Sequence, residues 1–112
     1  MGDCLFCKIV AGEIPATKVA ESDDYFAFRD INPQAPTHVL AIPKRHVPSL
    51  NEAEDGPLLG GLVLFARDVA RDAGLADDGY RVVINTNAGA GQTVFHVHAH
   101  LLGGRSMGWP PG

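Results

Sequence analysis

No apolar run in this chain approaches the roughly 18–20 residues that cross a bilayer, so a membrane-spanning helix is excluded. No basic region followed by an apolar stretch opens the sequence, so no secretory leader is read and the cytoplasm is the expected compartment. Cysteine is scarce, two in 112 residues, too few for a disulfide framework. Positive charge is not in excess. Nine Lys and Arg against thirteen Asp and Glu give a net charge of −4 and a pI near 5.6, which argues against a nucleic-acid polymer as partner. Acid is missing altogether from residues 31–50 and 80–112, where Lys44, Arg45, Arg81 and Arg105 carry the only formal charge. Such stretches suit a small anion, and they are also what buried strands look like. Repeats, linkers and low-complexity segments are absent too. With 46% apolar residues, residues 1–112 read as one domain around one core.

What is present has the pattern of an α+β fold. Residues 4–11 read as a short helix stopped at Gly12, and residues 18–21 and 25–30 as two strands of a hairpin. Two prolines make residues 31–36 a loop. Residues 37–42 form a near-continuous apolar run with one histidine, typical of a central strand, ended by Pro43. Residues 58–73 carry helical periodicity, with Gly74 as its cap. Residues 81–86 read as a strand with Val82, Val83 and Ile84 buried, residues 87–92 as a Gly-rich loop, and residues 96–102 as a last strand closing the sheet. The expectation is about five mostly antiparallel strands, one long helix and one short one, then a Gly/Pro-rich tail over residues 103–112.

Two patterns carry chemistry. In His96-Val97-His98-Ala99-His100 three imidazoles alternate with small apolar residues, and a strand's period of two places all three on one face. A histidine attacking phosphorus through one ring nitrogen needs its proton held on the other, and His98, flanked on both sides, is the geometric candidate. The second pattern is Cys4-Leu5-Phe6-Cys7, a zinc half-site that needs two further ligands.

The His-x-His-x-His segment resembles the signature of the histidine-triad superfamily, and in particular its Hint-like purine nucleoside phosphoramidase branch. The stretches Asp30-Ile31-Asn32-Pro33-Gln34-Ala35-Pro36-Thr37-His38, Ile42-Pro43-Lys44-Arg45-His46, Gly91-Gln92-Thr93-Val94-Phe95 and the tail through Trp109-Pro110-Pro111-Gly112 are similar in order and spacing. The resemblance implies a homodimer with a continuous sheet, whose tail contributes to the partner's site. It implies a hydrolase releasing AMP or GMP from purine nucleoside phosphoramidates and acyl-nucleotides through a covalent nucleotidyl-histidine. His98 would be the nucleophile, His100 a donor to phosphate oxygens, His38 a support, and Thr93, where many relatives have Ser, the proton donor to the leaving group. Asp30 would accept the ribose hydroxyls, and Phe6 and Ile31 would wall the base. Asn85 and the backbone of Gly91 and Gln92 would lie by the phosphate, and Trp109 would shape access. Arg29 stands where relatives often carry His. Cys4, Cys7, His46 and His96 would complete a closed Cys₂His₂ zinc site, structural in role, so that catalysis needs no metal. A catalytic zinc on His96, His98 and His100, a dinucleoside polyphosphate hydrolase, and a nucleotide-binding regulator with incidental turnover stand as alternatives.

Overall fold

The computed structural model describes residues 2–112. Five strands, β1 (Lys18–Glu21), β2 (Tyr25–Arg29), β3 (Thr37–Pro43), β4 (Tyr80–Val83) and β5 (Ala99–Gly103), form one antiparallel sheet in the order β1-β2-β3-β5-β4. Two helices flank it, α1 (Leu5–Val10) and the long α2 (Gly56–Asp72). Alternation along β3 divides the core. Val39 and Ala41 face α2 with Ala27, Ala99 and Leu101, and there they meet Leu62, Ala66, Val69 and Ala70. Leu40 and Ile42 turn the other way and pack with Phe26 and Phe28 against Phe6 and Ile9 of α1. Each fully buried aliphatic chain contributes about 1.5–3 kcal/mol, so both faces are tied to the sheet. His38 and His100 stand at β3 and β5 positions of the α1 face.

α2 begins two residues before the periodicity predicts. The Asp55 side chain accepts the Leu58 N–H (3.0 Å), and Pro57 sits in the first turn, where its missing N–H costs nothing. The helix ends as read. Gly74 takes φ +79°, and the Leu75 and Gly74 amides return to the carbonyls of Ala70 and Arg71. Gly61, an apparent weak point of this helix, is required by contact. Tyr25 crosses the helix to donate its hydroxyl to Leu58 O (2.7 Å), and a Cβ at Gly61 would overlap the phenol.

Three expectations are corrected. The last strand does not close the sheet; it lies between β3 and β4. Regular pairing begins only at Ala99, so His96 and His98 precede the strand and are held by other bonds, among them Val97 N–H to Val47 O (2.6 Å). β4 is shorter than read, and as an edge strand it leaves Val82, Val83 and Ile84 half-buried.

Candidate active site

A cavity of about 770 Å³ opens on the α1 face. Its walls include Phe6 and Ile9 from α1, Phe28 and Asp30 from the end of β2, and His98 and His100. Small-molecule sites run from about 300 to 1,000 Å³, so a nucleotide-sized ligand fits. Of the residues singled out by sequence, Phe6, Asp30, Ile31, Thr93, His98 and His100 line this one space. Phe6 is buried and packs edge-on against His98, ring centroids 5.0 Å apart and planes at 85°. Ile31 is fully exposed at the rim.

Hydrogen bonds to groups that can only donate or only accept fix the proton on each imidazole. His98 Nδ1 lies 2.7 Å from the carbonyl of His96, which can only accept, so Nδ1 carries the proton and Nε2 keeps a free lone pair. The Gln34 amide donates to His38 Nδ1 (3.0 Å), which forces the His38 proton onto Nε2. That Nε2–H donates to His100 Nδ1 (2.9 Å), with the Asp30 carboxylate 3.3 Å away. His100 therefore holds its proton on Nε2. One nitrogen in this group has a free lone pair and another a proton to donate, with no net charge on either ring.

Burial is the main cause keeping these rings neutral. It pushes His98 and His38 below the usual imidazole range, against an opposing pull from Asp30. His100 drops furthest, to about 4, from burial and then the neighbouring His98 and His38. Asp30 itself accepts the Asn32 amide (2.8 Å) on one oxygen, a local turn that aims the carboxylate. By spacing alone Asp30, His38 and His100 could hold a cation. The Gln34 amide rules against it, because His38 Nε2 carries a proton and has no lone pair to give.

His96 turns away from the cavity. It is wholly buried, donates Nε2–H to Pro43 O (2.7 Å), and points the lone pair of Nδ1 at the sulfurs of Cys4 (3.3 Å) and Cys7 (3.5 Å). His46 Nδ1 lies 3.4 Å from Cys7 Sγ, and all four donor atoms fall within 4.8 Å of one another. A tetrahedron with Zn–S near 2.3 Å and Zn–N near 2.05 Å has S···N edges of about 3.5 Å, so these donors are already spaced for a metal ion. The carbonyl that takes the far N–H of His96 is the usual support of a ligating imidazole. Burial and the neighbouring Cys4 push the Cys7 thiol up to about 11, so a bound cation would be what deprotonates it. The donor set fits such an ion. Cys4 also caps α1, its sulfur accepting the Cys7 amide (3.3 Å).

The remaining sequence candidates lie elsewhere. Asn85 and Gly91 do not line the cavity, and the buried Gln92 directs its side chain into the protein rather than toward it. Trp109 is 83% exposed. The tail before it is tied down, Arg81 donating to Gly108 O (2.8 Å) and Arg105 to Gln34 O (2.9 Å). Two participants escaped the sequence reading, the Gln34 amide and the Pro43 carbonyl. Both act through backbone atoms and carry no side-chain signal.

Fold and site define a class: an α+β protein with neutral, tautomer-fixed histidines facing a nucleotide-sized cavity and a Cys/His cluster behind them. Residues 11–107 match the HIT domain, and the chain belongs to the HIT family. It is similar to a HIT family hydrolase from Legionella pneumophila, with 54% identity, a TM-score of 0.95, and 98% of this chain and 100% of that one covered. It is 53% identical to a 14 kDa zinc-binding protein of Zea mays, over 96% of this chain and 87% of the relative. It is 47% identical to the purine nucleoside phosphoramidase of Escherichia coli, over 95% and 91%.

Proposed function

We propose that this protein hydrolyses purine nucleoside phosphoramidates and acyl-nucleotides, releasing AMP or GMP through a nucleotidyl-His98 intermediate. The observation that carries the reading is His98 itself: its proton is held by the His96 carbonyl, and a free Nε2 belongs to a ring on the wall of a nucleotide-sized cavity. In the first step Nε2 bonds to phosphorus and the P–N bond breaks, its electron pair passing to the amine. Thr93 relays a proton from water to that nitrogen. The cation left on His98 is stabilised by the His96 carbonyl, and His100 Nε2–H donates to a phosphate oxygen. In the second step water attacks phosphorus, the P–Nε2 bond breaks and its pair returns to His98, while the water's proton leaves to solvent. Asp30 accepts the ribose hydroxyls, Phe6 and Ile31 flank the base, and Asn85 with the Gly91 and Gln92 backbone serves the phosphate end. The name of the Escherichia coli relative supports P–N chemistry over dinucleoside polyphosphate hydrolysis.

Zinc on Cys4, Cys7, His46 and His96 is structural in this reading, since four protein ligands leave no open position for water. A homodimer is inferred as well. β4 has a free edge, and Val63, Leu64 and Trp109 are exposed apolar surface that a second copy would cover. The cytoplasm is the compartment this reading assumes. The testing experiment is His98→Ala assayed on adenosine 5′-phosphoramidate. Turnover should fall by about four orders of magnitude while AMP still binds; turnover within tenfold of the parent would refute the nucleophile.

A further inference from the structure

We infer that the side chain of Gln92 is a positioning residue for Thr93 and thereby governs how well the amine leaves. The inference rests on the reading of Thr93 as the group that relays a proton to the leaving nitrogen.

Gln92 is 4% exposed in a loop whose preceding residues, 88–91, are all exposed. Its carboxamide makes three bonds to three different stretches of chain. The Asn87 N–H donates to its Oε1 (2.7 Å), and its Nε2 donates to Pro48 O (2.9 Å) and Val94 O (3.2 Å). Both of its N–H groups are therefore used, and its oxygen is engaged by the Asn87 amide.

These bonds bracket Thr93. Gln92 precedes it, and the bond to Val94 O closes the backbone just after it. Upstream, Asn87 is held twice, since the Gln92 backbone amide also donates to Asn87 O (3.1 Å). Asn87 needs that restraint, because its φ of +66° is a conformation that residues other than glycine rarely adopt. The third bond anchors the loop to Pro48, two residues beyond His46 in the chain. Thr93, exposed, sits where the main cavity meets a second crevice of about 320 Å³ that also contacts Cys4 and His46. With neither helix nor strand at residue 93, the backbone on either side decides where its hydroxyl lies. One buried carboxamide does what a hydrogen-bonded ladder would do elsewhere. A misplacement of about 1 Å is enough to lower a rate by two orders of magnitude.

The test uses two substrates: an alkylamine phosphoramidate of AMP, whose leaving nitrogen must be protonated, and the p-nitrophenyl ester of AMP, whose leaving group needs no proton. Gln92→Met removes all three bonds. Gln92→Glu keeps the acceptor for Asn87 but sets a carboxylate oxygen against two carbonyls. Both should cut kcat about tenfold or more further on the phosphoramidate than on the ester. Thr93→Ala should show the same selectivity, and adding Gln92→Met to it should cost nothing further. Equal losses on both substrates, or two variants that fail to fold, would make Gln92 a purely structural tie and overturn the inference. A leaving-group effect in Thr93→Ala but not in the Gln92 variants would overturn the positioning alone. No such effect in Thr93→Ala would overturn the proton-relay reading and this inference with it.

Discussion

Replacing His100 with Asn should flatten the acid limb of the protein's stability. In the native state His100 Nδ1 accepts the His38 proton at 2.9 Å, and its other nitrogen already carries one. Protonating the ring would set two donors face to face in a site shared with His98. Burial first, then the neighbouring His98 and His38, bring the group to about 4 when folded, against 6.5 for an ordinary imidazole. Between those values the unfolded chain binds a proton at this position and the folded chain does not. Stability thus falls as pH drops from 6.5 and levels off below about 4. The full separation corresponds to about 3.4 kcal/mol at 1.36 kcal/mol per unit, of which roughly 2.5 kcal/mol is reached by about pH 4.5. The ring is only half-buried, so solvent screening reduces the measurable difference to about 1–2 kcal/mol. Urea unfolding followed by circular dichroism at about pH 7.5, 6 and 4.5, at fixed ionic strength, gives the two curves. The parent should lose that much more than His100→Asn across the range. Parallel curves, offset but equal in slope, would refute the reading that His100 stays neutral in the folded protein.

Two further outcomes are expected. Protein purified without chelators should hold about one zinc per chain by elemental analysis. Cys4→Ala should release it and lower the melting temperature, partly through the lost helix cap at about 1 kcal/mol, while AMP affinity stays nearly unchanged; no zinc in the parent would count against the cluster's role. Truncation after Gly104 should leave AMP binding intact but change kcat ratios across a panel of amine leaving groups, and unchanged ratios would reduce the tail to packing.

The parts of the molecule that side chains announce were readable from the sequence. Apolar runs gave the five strands and both helices; alternation predicted three imidazoles on one strand face, of which His98 and His100 line the cavity while His96 joins the Cys/His cluster. Cys4 and Cys7 asked for two more ligands, and folding brings His46 and His96 to them. The parts carried by backbone were not readable. Strand order depends on which edge β5 chooses, and nothing in its residues states that it enters between β3 and β4. Register is decided by the pairing of His38 with Leu102 and of Leu40 with His100. The early start of α2 lay in Asp55, a cap that periodicity alone does not weigh. The protons of His38 and His98 are assigned by a backbone amide at Gln34 and a backbone carbonyl at His96, groups that no side chain announces. Gln92 was noticed for its backbone, yet its side chain is the part most engaged.

The interior place of β5 reaches beyond topology. It carries His100 and follows directly on His98, and it is paired along both sides, to β3 and to β4. Amides in such a strand open to solvent only when the whole sheet does, while edges, termini and loops fray at far smaller free energy. His100 is therefore mounted on a part of the sheet that is among the last to open, while His98, just ahead of the strand, depends on its ring bond to the His96 carbonyl.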